Sequence, residues 1–238
     1  MGYLGASHAN QAGDPGIPAP HWQPANHAPV VRILQPLNQS SYSWEDMVPY
    51  SVQVTDVEDG ESKYQEIPSS EVLVKFQFAE SSAKAATYLK QKKIKDTIGI
   101  TGMLLSNCFN CHGVKSKKAG PSFQEIGGRY LLTEKNIALL STRIQKGSNG
   151  IWGNETMPSH PELKDGEIRQ MVNWILRYTQ DPGLNFFTGV TGTMPLIKPG
   201  FQTKSGYFVV TAYYTDHGTA ENRDKKITGS DQILIRVK

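Results

Sequence analysis

The chain has 238 residues, 38% of them hydrophobic and 20% charged, with 22 Gly and 14 Pro; this suits one large domain or two small ones and excludes both a coiled coil and a wholly disordered chain. No run approaches the roughly 20 apolar residues of a transmembrane helix, and a net charge of +3 is too small to argue for nucleic acid as a partner. The N-terminal Met1-Gly2-Tyr3-Leu4-Gly5-Ala6 carries neither a basic nor an apolar region, as expected of a chain whose export signal has been removed.

Residues 1–28 are rich in Gly, Pro, Ala and Asn, hold His8, His21 and His27, and offer no apolar periodicity. They read as a flexible tail, because irregularly spaced histidines beside Trp22 in a Pro-rich tract do not make a metal site. From Pro29 the texture turns to short β-type runs at 30–34, 48–54 and 72–78, separated by Pro, Asn, Ser, Asp and Gly clusters, the start of an antiparallel sandwich. Between the second and third runs, Asp56, Glu58, Asp59 and Glu61 offer oxygen ligands for calcium. A solvated turn is the expected reading, since the EF-hand loop pattern is missing.

From Ser81 to Lys118 there are eight lysines and one acid, Asp96, a local charge of +7 that leaves −4 for the remainder. Between 83 and 179 the pattern becomes helical. One helix is expected over 134–145, with Ile137, Leu140 and Ile144 on one face, and another over 165–179, with Ile168, Met171, Val172 and Ile175 together. After Pro182 strands return at 206–214 and 233–237, with a weaker one near 189–194.

The only two cysteines stand in Cys108-Phe109-Asn110-Cys111-His112, the C-x-x-C-H signature for covalent attachment of a c-type haem. Two thiols three residues apart on a helical turn reach both vinyl groups of one porphyrin, and the next imidazole arrives under the iron. Zinc needs further Cys or His ligands at comparable spacing, and these are missing. A sixth iron ligand comes from the six methionines. Met1 lies in the tail, Met47 in β-type sequence, Met103 too near Cys108, and Met171 on an apolar helix face where packing is the default. Of the two Thr-Met-Pro methionines, Met157 follows the glycine-rich 147–153 loop and precedes the last helix, whereas Met194 opens β-type sequence; Met157 is the expected ligand. His160 is read as a loop residue rather than an alternative ligand.

Residues from about 97 to 178 resemble the small class I bacterial monohaem cytochromes c. The resemblance is carried by the haem signature, Ala119-Gly120-Pro121-Ser122-Phe123, the stretch from Arg143 through Gly147-Ser148-Asn149-Gly150-Ile151-Trp152-Gly153, Met157-Pro158, and a helix ending Asn173-Trp174-Ile175-Leu176. It implies that His112 and Met157 are the axial ligands, that the Pro121 carbonyl accepts a hydrogen bond from the distal nitrogen of His112, and that Arg143 and Trp152 hold a haem propionate. His160 stands where pseudomonad relatives commonly place an Asn touching the sulfur, and Met103 where they often place an aromatic residue. The stretch Val52 to Glu61 resembles a strand end in PKD-type, immunoglobulin-like domains. Similar β segments flank cytochrome modules attached to pyrroloquinoline-quinone sugar dehydrogenases.

The expected fold is α+β and multidomain: an all-α cytochrome c module at 81–181, inserted in or flanked by an immunoglobulin-like β-sandwich built from 29–80 plus 182–238, or alternatively two separate β pieces. The expected function is one-electron transfer by one covalent haem c with His/Met ligation. The chain would accept electrons from a periplasmic or extracellular dehydrogenase and pass them on, with the lysines steering an acidic redox partner onto the haem edge. With both axial positions filled, peroxidase or gas-binding activity is not expected; the competing reading is a glycan- or protein-binding sandwich with a structural haem domain. The expected location is periplasmic or extracellular.

Overall fold

The structure is a computed structural model describing residues 25–90, 97–200, 203–223 and 225–238. The tail expectation for 1–24, and Lys92, Lys93 and Lys95 of the basic segment, lie outside the described residues.

Among the described residues, nine strands form two sheets. The first holds β1 (Val30–Gln35), β3 (Met47–Asp56), β4 (Gly60–Glu61) and β7 (Thr191–Pro195), all paired antiparallel to β3. The second runs in the order β2 (Ser41–Tyr42), β9 (Thr228–Val237), β8 (Gly206–Thr215), β5 (Leu73–Ala79), β6 (Leu184–Thr188). Strands from both sides of the helical stretch therefore share each sheet: β7 pairs with β3, and β6 and β8 flank β5.

The period-two rule explains the faces. Along β3, Val48, Tyr50, Val52, Val54 and Asp56 are buried while the alternate residues are not. The face they make meets Val74, Phe76, Phe208, Val210, Ala212 and Tyr214 of the second sheet in one core. In β8 nearly every residue is buried, because the second sheet is covered on both faces. Its even positions line the sandwich, and its odd ones face helices.

Among the described residues, six α-helices complete the fold: α1 (Ser82–Lys90), α2 (Thr97–Leu105), α3 (Cys108–Cys111), α4 (Phe123–Arg129), α5 (Glu134–Lys146) and α6 (Asp165–Tyr178). The two periodic helices of the sequence are α5 and α6. Leu73 and Tyr213 from the sheet join Ile100, Leu104, Trp174 and other helical residues in a second core. Helix α1 falls within the expected 81–181 module but packs elsewhere: Ala85, Tyr88 and Leu89, spaced to share a helix face, sit on Val209, Tyr207 and Leu234 of the sheet. At the other end of the expected tail, Asn26 donates to Asp216 Oδ2 at 2.9 Å and His27 Nδ1 lies 2.7 Å from Glu58, so the sandwich holds the chain earlier than composition indicated.

The acidic 56–61 turn, expected to be solvated, is instead partly buried and hydrogen-bonded. Buried Asp56 accepts the amides of Glu58 and Asp59 at 3.0 and 2.8 Å. Asp59 accepts from the Tyr214 hydroxyl at 2.7 Å and from the His217 amide at 3.0 Å. Among the described residues no group of three or more His, Cys, Asp or Glu is arranged to hold a metal ion.

Candidate functional site

Helix α3 is one turn, entered through Asn107 in a left-handed conformation (φ 58°) and closed by the His112 amide donating to the Cys108 carbonyl at 2.9 Å. The chain then folds back. Gly120 donates to the Cys111 carbonyl at 2.8 Å, and Phe123 and Gln124 donate to Gly113 and Val114, each at 2.9 Å. Gly120 is required by close approach, because an added Cβ would stand 2.4 Å from His112 Cε1. Helix α4 starts at once with a capping box: Ser122 Oγ accepts the Glu125 amide at 3.1 Å, and Glu125 accepts the Ser122 amide at 2.7 Å. That fixes Pro121, whose carbonyl lies 2.6 Å from His112 Nδ1. A carbonyl only accepts, so Nδ1 carries the proton and Nε2 keeps a free lone pair. The ring stacks on Phe123 at 5.4 Å.

On the other side of the sequence, Gly147 (φ +81°) ends α5, and Ser148 and Met157 exchange two backbone hydrogen bonds of 3.0 and 2.8 Å. The 147–157 loop is thereby closed into a hairpin that delivers Met157. His160 donates its amide to the Ile144 carbonyl at 3.0 Å and its ring faces Glu162; it ties the loop to α5.

Cys108, Cys111, His112, Pro121, Arg143, Trp152 and Met157, every site residue expected from the sequence, line one cleft of about 1140 Å³, open mouth included. Met194 is elsewhere, fully buried in the sandwich core opposite Val48 on β3. The sequence reading missed Met103 and Met171, which also line the cleft. The same spacing that marked Met171 as core marks it as cleft wall, because here the two coincide. Leu105 and Trp174 are turned to the sheet instead: Trp174 meets Phe186 edge-on at 4.9 Å, and Leu105 lines a small cleft together with Glu71 and Tyr213.

Burial sets the chemistry of the donors. It is the largest influence on His112 and lowers its pKa against the opposing Pro121 hydrogen bond, favouring the neutral imidazole. It pushes the Cys108 thiol up to about 11. Lys115, Lys117 and Lys118 are exposed beside the signature, and Lys118 also donates to the Phe109 carbonyl at 2.6 Å.

Residues 101–179 match the family model for cytochrome c. Cytochrome c2 of Rubrivivax gelatinosus is 35% identical over 74 residues, 30% of this chain and 87% of that protein. The chain belongs to the cytochrome c family. Cytochrome c-552 of Hydrogenobacter thermophilus is 29% identical over 96 residues, 37% of this chain and 97% of that protein. The crystal structure of Nitrosomonas europaea cytochrome c552 aligns at 29% identity with a TM-score of 0.32, covering 33% of this chain and 96% of that one.

As in this family, the cofactor is one covalently bound haem c, and the function is electron transfer with a redox partner. The residues present fit that group. Two thiols, a buried imidazole with a free Nε2 and a thioether converge on an apolar cleft, the donor set that covalent haem with a soft axial ligand requires. Among the described residues no helix is long and apolar enough to cross a membrane.

Proposed function

We propose that this cytochrome c is a one-electron carrier in which His112 Nε2 and the Met157 thioether are the axial ligands, Cys108 and Cys111 the covalent anchors, and Arg143 and Trp152 the holders of a propionate. The observation carrying the reading is that the Nδ1-protonated His112 and the hairpin-delivered Met157 line the same cleft while Met194 is sealed in the sandwich. When bound, the haem supplies a one-electron Fe(III)/Fe(II) couple. Both axial side chains are uncharged and the cleft is lined mainly by apolar side chains, which favours the less charged, reduced state. With the two positions taken by side chains, none remains for oxygen or peroxide, so the protein carries electrons rather than catalysing a reaction.

Residues 29–80 and 182–238 form, in this reading, a single immunoglobulin-like sandwich that carries the cytochrome as an insertion at 81–181. The sharing of both sheets by strands from the two segments supports it. Thioether attachment requires exported, reduced apoprotein, which places the protein in the periplasm or outside the cell. Its electrons come from a dehydrogenase there, and the +7 segment steers an acidic partner toward the haem edge.

Met157→Ala tests the ligation. The oxidised protein should lose its weak sulfur-to-iron band at the red end of the spectrum and bind added cyanide or imidazole, whereas Met194→Ala should keep the band. The reverse pattern would move the ligand and sink the reading.

A further inference from the structure

Arg129 is the last residue of α4; it is exposed and is not part of the cleft wall. Its side chain nonetheless reaches across 22 residues to donate from Nη1 to the Ile151 carbonyl at 3.1 Å. The guanidinium lies 4.6 Å from the Trp152 ring centre and 5.7 Å from that of Tyr130. Trp152 and Tyr130 meet edge to face at 6.5 Å. Beyond Tyr130 stands Arg143, 5.6 Å from the same ring and donating to its hydroxyl at 2.7 Å. The four side chains form one connected cluster, Arg129–Trp152–Tyr130–Arg143, joining the end of α4, the loop tip and the last turn of α5.

The tip of the loop needs such a tie. Gly150 (φ +71°) and Gly153 (φ +121°) flank Ile151 and Trp152, and an added Cβ at either would meet nothing within 4 Å. No close packing fixes the backbone there, and the Ser148–Met157 bonds close only its base. The planar guanidinium supplies what the tip lacks, a stacking face for the indole and a donor for the carbonyl beside it.

We propose that Arg129 is a positioning residue for the polar edge of the haem: it holds Ile151 and Trp152 against the helices and, through Tyr130, keeps Arg143 at the mouth of the cleft. The inference rests on the reading that Arg143 and Trp152 hold a propionate. Arg129 acts on that edge through its neighbours rather than by touching it.

The test uses the holoprotein in its ferrous state. In Arg129→Gln, amide hydrogen exchange in the 149–156 segment should rise roughly two- to five-fold, the factor one exposed cation–π contact carries. Exchange in α5 and α6 should be unchanged, and the midpoint potential should fall because a cation that disfavours Fe(III) is lost. Arg129→Lys restores the charge but not the planar fork, so exchange should stay raised. Faster exchange with an unchanged potential would make Arg129 merely structural and overturn the proposal, as would an Arg129→Lys protein identical to the parent in both readouts. Arg143→Ala separates the two readings. If it leaves the potential unchanged, the propionate assignment fails; if it shifts the potential while Arg129→Gln does not, only the role of Arg129 fails.

Discussion

His217 places its two ring nitrogens on two carboxylates, Nδ1 3.2 Å from Asp59 and Nε2 3.0 Å from Glu71. Asp59 belongs to the turn after β3 in the first sheet, Glu71 leads into β5 of the second, and His217 follows β8, so three side chains latch one end of the sandwich. Burial is the largest influence on Asp59 and alone would raise its pKa, but hydrogen bonds from the Tyr214 hydroxyl and the His217 amide and ring outweigh it and hold the carboxyl below the ordinary value. Burial raises the pKa of Glu71. The signs differ accordingly. The stability contributed by charged Asp59 is complete above the ordinary aspartate range, near pH 4, and is lost as pH falls through its lower folded value; protonation of Glu71 acts in the opposite sense at higher pH. Asp59 has a side chain only 11% exposed, so Asp59→Asn should cost about 1–3 kcal/mol at neutral pH and flatten the acid limb below about pH 4. Thermal midpoints measured across that range check this, and an acid limb as steep as in the parent protein would refute it.

At the scale of elements, what could be read in the sequence depended on how many faces an element buries. Helices α5 and α6 each present one apolar stripe, so their periodicity was visible within a residue or two at each end. Strand β3 buries one face and alternates cleanly. Strand β6 does not: Phe186 packs on Trp174 while its neighbour Phe187 packs on Tyr50 and Phe76, and a segment that contributes to both faces shows no alternation. Helix α2 is similarly masked, with Met103 on the cleft and Ile100 and Leu104 in the core shared with the sheet. The residues that line the cleft were legible because their marks are local, a five-residue signature and a Thr-Met-Pro after a glycine-rich loop. The pairing of Arg129 with Trp152 was not, since only the folded loop brings α4 to it. The Trp174–Phe186 contact, which docks α6 on β6, supplies a measurable prediction. Trp174→Ala should cost about 3–5 kcal/mol. A double-mutant cycle with Phe186→Ala should give a coupling of about 0.5–1.5 kcal/mol, whereas additivity of the two substitutions would mean that the helices and the sheet do not share this contact energetically.

Across the whole molecule, the second sheet is the middle of three layers. One face closes the sandwich with Phe76, Phe208 and Tyr214, and the other carries Leu73 and Tyr213 into the core of the helices that wall the haem cleft. Neither neighbour can leave without exposing apolar side chains of the sheet. Its strand order places β8 and β9, from the end of the chain, beside β5, from before the helices. Chain connectivity therefore offers no simple cut between a β unit and a cytochrome unit: losing β8 would open both cores at once. Such coupling makes folding a single event when the shared burial outweighs the difference in stability between the layers. Denaturant unfolding of the ferric holoprotein should then show coincident midpoints for the haem Soret band, which reports the cleft, and the far-ultraviolet β signal, which reports the sandwich, with the same steepness for both. A haem transition that precedes the β transition, with the sandwich still intact, would show the two cores to be independent and would return the β segments to the status of a separate scaffold.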